Sequence, residues 1–167
     1  MSRAFVKEED GESGAGEISD LPQSPHPNYV TPRGLALLRE RIAAAQEKRR
    51  TLLADTGGVE RDLPLANIAR ELRYLESRVE RAILVDPAVQ PHDEVAFGAT
   101  VRVADPQGGE REFTIVGEDE ADAEHGSVSW VSPLASALLG ARVGDEIVWH
   151  RPVGDVELEI LAIRYPS

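Results

Sequence analysis

Two stripes of residues with the spacing of a narrow helical seam constrain the fold of this chain more than any other feature. Within each stripe the seam positions recur at alternating steps of three and four residues, and only about two positions in seven are consistently apolar, which is typical of helices that mainly contact each other. The seam positions are Leu35, Leu38, Ile42, Ala45, Arg49 and Leu52, then Leu65, Ile68, Leu72, Leu75, Val79 and Ala82. The pattern predicts an antiparallel coiled-coil hairpin over residues 30–85, with arms of roughly 30 to 35 Å.

The ends of the two predicted helices are marked by capping and breaking residues. Thr31 followed by Pro32 is a helix start, because the threonine can cap and proline lacks only an N–H that has no partner in the first turn. A segment rich in glycine and proline separates the arms and predicts a tip at about residues 55–64. Two prolines in residues 86–92 end the second helix and predict a linker.

Alternating apolar residues predict short strands after the linker. Two turn sequences, ProGlnGlyGly and ProValGlyAsp, lie between these runs. One short helix is predicted with Ser132 as cap, Pro133 at its first position and Gly140 as its stop. Residues 93–167 are therefore predicted to form a small antiparallel sheet with one helix across it, so that the fold class is α+β.

The N-terminal residues 1–29 mix acidic residues with glycine and proline and predict a disordered acidic tail. No apolar run approaches the roughly 20 residues that span a bilayer, and no signal peptide is apparent. The chain has no cysteine. This composition predicts a cytoplasmic protein with no membrane contact.

The net charge of −12 is distributed unevenly along the chain. Residues 31–85 hold eleven basic and eight acidic residues, whereas residues 93–167 hold five basic and fifteen acidic ones. Binding to a bare duplex needs clustered basic residues across the contact face. We therefore expect no independent sequence-specific DNA binding, and we expect the acidic domain to prefer a basic protein surface.

Several sequence blocks resemble the GreA/GreB family of bacterial factors that stimulate transcript cleavage by RNA polymerase. VTPRGLALLRERI resembles the opening of the family's coiled coil, and IVGEDEAD, SPLASALLG and VGDEI resemble its C-terminal domain. The resemblance covers about residues 29–165. It implies an FKBP-like C-terminal domain without isomerase activity, and a monomer with no enzyme activity of its own.

The resemblance also implies a partner and its contacts. Bacterial RNA polymerase would take the hairpin into its secondary channel, where the tip approaches the 3′ end of the nascent RNA indirectly, through the active centre. Ser132 and Pro133 match the motif by which the family's C-terminal domain holds the polymerase at the channel rim.

The tip departs from the family pattern. The family's GlyAspxxGluAsn falls on residues 57–62, so that Gly58 and Arg61 replace its two carboxylates, and the acids that are present, Asp55, Glu60 and Asp62, are displaced. One interpretation has Glu60 and Asp62 sharing the polymerase Mg²⁺, which prefers carboxylate oxygens. The other, which we favour, makes them solvated charges near the positive end of the second helix, so that stimulated cleavage is not expected.

Four arginines lie toward the loop half of the arms and are candidates for contact with RNA or with acidic channel walls. They are Arg49, Arg50, Arg70 and Arg73. Pairing with Glu47 and Glu71 on the helix surface is an equal alternative. The histidines share no metal-ligand spacing, and no metal or cofactor of the protein's own is expected beyond the polymerase Mg²⁺.

Three other functions compete with a Gre-type elongation factor. The first is a Gre-like competitor that blocks the secondary channel, and the second is a Rnk-like regulator with a shorter hairpin. The third is an FKBP-type prolyl isomerase or chaperone, which needs an aromatic-lined pocket.

Overall fold

Two long helices form the first half of the fold. In the computed structural model, which describes residues 18–166, α1 spans Pro32–Ala54 and α2 spans Asp62–Glu80, and a 3-10 turn at Val59–Arg61 precedes α2. The Thr31 hydroxyl accepts a hydrogen bond from the Gly34 N–H at 2.9 Å, with Pro32 at the first helical position. The predicted helix start is therefore confirmed.

The helices pack against each other through the predicted seam. Leu38 and Leu75 share a buried cluster near the base of the hairpin, and Ala45, Ile68 and Leu72 share a second one nearer the tip. Because residues later in α1 meet residues earlier in α2, the helices are antiparallel. The finer expectation, coiled-coil packing along the seam, stays a prediction.

A pair of three-residue strands closes the base of the hairpin, and the sequence did not predict it. Strand β1 spans Asn28–Val30 and pairs in parallel with β2 at Ala82–Leu84, with Tyr29 opposite Ile83. Two antiparallel helices between two strands return the chain to its starting end, which makes the strands parallel. Such short strands show too little alternation to be read from sequence.

The predicted disordered tail needs correction where the structure describes it. Residues 1–17 lie outside the described residues. Residues 18–27 form no helix or strand, yet Asp20 contacts Arg73 and Ser24 contacts Glu118, and β1 begins at Asn28 rather than at a boundary after residue 29. Composition predicted disorder because it does not register the partners that these side chains find elsewhere in the chain.

The second half is a five-stranded sheet with one short helix, α3, at Pro133–Leu138. The strands are β3 (Thr100–Ala104), β4 (Glu110–Val116), β5 (Ser127–Ser129), β6 (Glu146–Trp149) and β7 (Val156–Arg164). Their spatial order is β5-β4-β3-β7-β6. The described residues thus form the predicted α+β fold, whereas the FKBP-like detail stays a prediction.

One pairing departs from the predicted antiparallel sheet. Strand β5 runs parallel to β4, while the other three pairings are antiparallel. The connection at residues 117–126 crosses back so that Ser127 lies opposite Thr114 in β4, and its 3-10 turn at Ala123–His125 ends at Gly126 with a left-handed φ of 78°. A parallel neighbour requires such a returning connection.

The core of the second half lies between the sheet and α3. Its buried members are Val95, Ala99, Val101, Val103, Phe113, Ile115, Leu134, Ala135, Leu138, Ala141, Leu158 and Ile160. The Ser132 hydroxyl accepts from the Ala135 N–H at 3.2 Å, and Gly140 has a φ of 84°, so that the predicted cap and stop of α3 are confirmed. None of the helices in residues 18–166 is long and apolar enough to cross a membrane.

The hairpin seam makes a stability prediction. Leu75→Ala removes a side chain that is 0% exposed and leaves a cavity between α1 and α2, so we expect the free energy of unfolding to fall by about 2–5 kcal/mol in urea titration followed by circular dichroism. Leu53→Ala is the matched control, because Leu53 is 59% exposed and its loss is expected to cost less than about 0.5 kcal/mol. Equal losses would contradict the packing described here.

Candidate functional site

The hairpin tip is fully open to solvent. Helix α1 ends when Asp55 turns to an extended backbone, and the acids Asp55, Glu60 and Asp62 are all exposed. The tip also exposes large apolar side chains on either side of the turn: Leu53, Val59 and Leu63 are 59%, 85% and 63% exposed. Acidic and apolar groups therefore share the end of the hairpin.

The three tip acids have different surroundings. The Asp55 carboxylate accepts a hydrogen bond from the Gly57 N–H at 3.1 Å, and the Asp55 carbonyl oxygen accepts one from the Arg61 guanidinium. Glu60 lies in the 3-10 turn, and Asp62 lies in the first turn of α2, where a carboxylate is favoured by the helix dipole. Neither makes a side-chain hydrogen bond with another of the residues 18–166.

The tip acids do not assemble a metal site by themselves. Within the described part of the chain, no group of three histidine, aspartate or glutamate side chains converges as metal binding would require. Mg²⁺, a hard cation, takes six ligands in octahedral geometry and prefers oxygen donors. Glu60 and Asp62 have the right donor chemistry for such an ion but would need further ligands from another molecule.

The four candidate arginines are not equivalent. Arg50 pairs with Glu47 at 2.6 Å on the surface of α1, as one of the two alternatives predicted. Arg73 pairs with Asp20 at 2.8 Å and not with Glu71. Arg49 is exposed and has no ion pair within residues 18–166, and Arg70 is half-buried.

The predicted docking residues lie at the start of α3. Ser132 is half-buried and caps the helix, whereas Pro133 is exposed. The next two residues of α3, Leu134 and Ala135, are buried in the core. Their packing holds the helix in place, and with it the proline ring. The adjoining Trp130 packs against the core, as predicted, and its ring also meets Tyr29 with a centroid distance of 5.0 Å.

A buried arginine joins the hairpin to the sheet, and the sequence analysis missed it. Arg78, near the end of α2, is 1% exposed. Its Nε donates to Asp119 at 2.6 Å and one Nη donates to Asn28 at 2.5 Å, while Glu118 lies 3.5 Å away. We call Asn28, Tyr74, Arg78, Glu118 and Asp119 the junction cluster. It brings together β1, α2 and the loop after β4.

Further polar contacts surround the junction cluster. The Tyr74 hydroxyl donates to Asp119 at 3.0 Å, and burial, followed by the Asp119 carboxylate, raises the pKa of that hydroxyl above its usual value. The Thr31 hydroxyl donates to Glu120 at 2.5 Å. The acidic block GluAspGlu at residues 118–120 therefore faces the base of the hairpin rather than solvent alone.

The close approach of backbone at this junction requires glycine at one position. A Cβ atom on Gly117 would lie 2.4 Å from the Tyr29 carbonyl oxygen, closer than any real contact. This glycine lets β1 lie against the end of β4. The signals that could have revealed the junction are the acidic block after a strand and a basic residue at Arg78, flanking the seam residues Leu75 and Val79.

The junction cluster makes a second stability prediction. Arg78→Met leaves the Asp119 carboxylate buried without its cation, and we expect the free energy of unfolding to fall by about 3–5 kcal/mol in urea titration. Adding Asp119→Asn to that variant should restore part of the loss, because the neutral amide needs no counter-charge.

The control for Arg78 is an exposed pair in the same hairpin. Arg50→Met breaks the surface pair with Glu47 and is expected to cost less than about 1 kcal/mol. A cost for Arg78→Met no larger than that of Arg50→Met would refute a stabilising role for the buried pair.

Comparison with known proteins agrees on one family. Residues 90–165 match the family model described as "Transcription elongation factor, GreA/GreB, C-term". Transcription elongation factor GreB of Neisseria meningitidis serogroup B is 36% identical over 153 residues, which are 83% of this chain and 94% of that protein. GreA of Nitratiruptor sp. is 42% identical over 102 residues, 60% of this chain and 63% of that protein.

A solved structure is also similar in part. The prokaryotic transcription elongation factor GreA/GreB from Nitrosomonas europaea is 24% identical, with a TM-score of 0.41 over 83% of this chain and 99% of that one.

Proposed function

This chain belongs to the GreA/GreB family of transcription elongation factors, and we propose that it binds bacterial RNA polymerase and places its helical hairpin in the secondary channel. There it modulates backtracked or paused complexes. The observation that carries this proposal is an exposed tip at the end of two long helices, borne on a domain that matches the family's C-terminal model. At 1.5 Å per residue the helices are about 34 and 28 Å long.

We propose further that the tip occupies the channel without stimulating cleavage. Gly58 and Arg61 stand where the family pattern has carboxylates, and Asp55 is engaged in its own turn. Only Glu60 and Asp62 remain to approach the polymerase Mg²⁺, and misplacement of a catalytic group by about 1 Å can cost on the order of a hundredfold in rate. The exposed Leu53, Val59 and Leu63 favour burial against a protein wall.

In this proposal the protein is not an enzyme and has no cofactor of its own. The metal and the cleavage chemistry belong to the polymerase, and the hairpin acts by occupancy. The protein would thus compete with cleavage-competent Gre factors for the channel.

The C-terminal domain is proposed to hold the channel rim through Ser132 and Pro133. The helix cap and the buried residues behind it present the proline ring on a rigid support. The domain's fifteen acidic and five basic residues favour a basic partner surface.

The two other candidate functions have less support. The arm lengths favour a Gre-type hairpin over the shorter one of a Rnk-like regulator. A cleft of about 570 Å³ at the junction has Tyr165 as its one aromatic lining residue, which does not favour a prolyl isomerase.

Cleavage of a defined backtracked elongation complex tests the role of the tip. With Mg²⁺ present, we expect the protein alone to leave the intrinsic cleavage rate nearly unchanged, about a hundredfold below the rate with an active Gre factor, and to suppress that factor's stimulation in proportion to concentration. Glu60→Ala and Asp62→Ala are expected to change neither result.

Two outcomes would contradict this account in different ways. Mg²⁺-dependent stimulation that is lost in Glu60→Ala or Asp62→Ala would show that the displaced acids do reach the metal. Failure both to bind core polymerase and to compete would overturn the proposed function itself.

A single exposed residue tests the docking contact. Pro133→Ala keeps the Ser132 cap and is expected to weaken polymerase binding by about tenfold while leaving the thermal unfolding midpoint nearly unchanged, because the proline ring is exposed. Ser136→Ala, an exposed substitution on the same short helix, is the matched control and should bind as the wild type does. Equal affinities for all three proteins would rule out a contact through Pro133.

A further inference from the structure

A cleft of about 210 Å³ lies at the end of the sheet opposite the hairpin. The turns between β3 and β4 and between β6 and β7 border it, whereas the hairpin meets the other end of the sheet, where Gly117 follows β4 and approaches Tyr29. The floor of the cleft is apolar, because Val103, Phe113 and Leu158 belong to the buried core of the second half. The cleft is therefore open to a partner while the hairpin is engaged elsewhere.

Two aromatic rings line the cleft. Phe113 and Trp149 meet edge to face, with ring centroids 6.1 Å apart and an interplanar angle of 71°. Trp149 is half-buried and pairs with Val156 next to the turn between β6 and β7. The volume is below the roughly 300–1,000 Å³ of sites that enclose a whole small ligand. It suits one apolar side chain of a peptide, which is the usual anchor of a protein interface.

An arginine lies over each ring. The guanidinium carbon of Arg111 is 5.8 Å from the centroid of the Phe113 ring, and that of Arg151 is 5.2 Å from the centroid of the Trp149 ring. We call the cleft with these four residues the aromatic–arginine cleft. An arginine that lies over a ring keeps the N–H donors in the plane of its guanidinium, where they are available to a carboxylate.

These two arginines differ from the others of the second half. Residues 93–167 contain five arginines. Within residues 18–166, three of them pair with a carboxylate: Arg102 with Glu110, Arg142 with Asp93, and Arg164 with Glu112. In the same part of the chain Arg111 and Arg151 have no carboxylate partner, and Arg151 donates only to the Gly154 carbonyl oxygen, at 3.2 Å. Both unpaired cations of this acidic domain thus lie at one cleft.

The one carboxylate that lines the cleft is already engaged. Asp105 accepts hydrogen bonds from the Gln107 and Gly109 N–H groups, each at 2.9 Å, within the turn between β3 and β4. On the other turn, Asp155 pairs with His150 at 3.0 Å. Two cations and one anion line the cleft, so its net charge is +1, opposite in sign to that of the domain around it.

Strand β6 provides an open edge beside the cleft. It is the last strand in the spatial order, and its outer side makes no backbone hydrogen bond with another of the residues 18–166. The free N–H and C=O groups of an edge strand can accept an extended peptide as an additional strand. Because β6 ends at Trp149, a peptide along this edge brings its side chains to the cleft.

These features favour an acidic peptide over a nucleic acid. Phe113 is only 9% exposed, and a guanidinium already lies over Trp149, so little ring surface remains for the stacking of bases. The domain has fifteen acidic and five basic residues and repels a polyanion. A short peptide with a few carboxylates meets less repulsion, and arginine binds carboxylates through paired hydrogen bonds.

We propose that the aromatic–arginine cleft is a docking site for an acidic peptide segment of a partner protein. One apolar side chain of the segment enters the cleft against Phe113 and Trp149. The carboxylates on either side of that side chain pair with Arg111 and Arg151. This contact is additional to those proposed for the hairpin tip and for Pro133.

Titration of the ¹⁵N-labelled full-length protein with synthetic pentapeptides tests the docking. The chain has two tryptophans, so the indole N–H signal of Trp149 reports on the cleft, and that of Trp130, which contacts Tyr29 near the hairpin, is the internal reference. We expect acetyl-DDXDD-amide peptides with Leu, Phe or Trp at X to shift the Trp149 signal and leave the Trp130 signal unchanged. The best of them should bind about tenfold more tightly than the peptide with Ala at X, because the apolar side chain is buried.

A pair of double variants tests the role of the two arginines. Arg111→Gln with Arg151→Gln is expected to weaken binding of the best peptide about tenfold at low salt, and by less at high salt. Arg102→Gln with Arg142→Gln is the matched control, because it removes the same charge from exposed arginines that already have acidic partners. The control variant should bind as the wild type does.

Several outcomes would overturn the proposal. Equal losses in the two double variants would show that net charge, and not this cleft, governs binding. The absence of a Trp149 shift with every DDXDD peptide at millimolar concentration would exclude the docking site. A stronger Trp149 shift with a single-stranded RNA oligonucleotide would assign the cleft to nucleic acid, and a shift on raising the protein concentration alone would assign it to a second copy. Each of these results is independent of the proposed function, because no polymerase is present.

Discussion

The buried guanidinium of Arg78 fixes how the hairpin meets the sheet. Its donors point to an amide from β1 and to a carboxylate from the loop after β4, so that three separate parts of the chain share one charged group. A charge in this position is tolerated only with its partners in place, because an unpaired buried ion costs several kcal/mol. Apolar packing alone would hold the two halves together without specifying one orientation, whereas the directional hydrogen bonds specify it.

The position of the tip follows from that anchor. Two helices packed on a narrow seam carry residues 55–61 about 30 Å from the junction. The buried seam residues end well before the turn, and residues 53–60 and 62–64 are all exposed. The exposed apolar side chains of the tip can be buried by packing against another molecule. This is the physical basis for proposing that the tip acts inside a partner.

Local and periodic features could be predicted from the sequence, and long-range polar contacts could not. The caps at Thr31 and Ser132 and the seam through Leu75 depend on residues three to seven positions apart, so they are visible in a single stretch. Arg78 meets Asn28 and Asp119 across 50 and 41 residues. Its position beside the seam residues Leu75 and Val79 is a local signal, but that position does not identify its partners on β1 and after β4.

The same reason explains the parallel strands and the tail. The pairing of Asn28–Val30 with Ala82–Leu84 exists only once the helices between them have folded. The composition of the N-terminal residues, with few apolar side chains, predicts disorder, whereas Asp20 pairs with Arg73 on α2. At the candidate site, the tip acids lie in and beside a turn and Pro133 lies at a helix start, and both features are local enough to be predicted from sequence, whereas the functional roles of these residues stay predictions.

The hairpin and the second half of the molecule carry net charges of opposite sign. The second half carries most of the acidic excess, and part of it, residues 118–120, is turned inward to hold Arg78 and Thr31, while the remainder faces solvent. The hairpin is the one part with a basic excess. Polyanions are therefore repelled from the domain and attracted to the arms, and a partner with basic walls at one place and nucleic acid deeper inside would accept the molecule in a single orientation. Because exposed charges farther apart than the Debye length, about 8 Å at physiological salt, are largely screened, this preference depends on the charges that lie close to the contact.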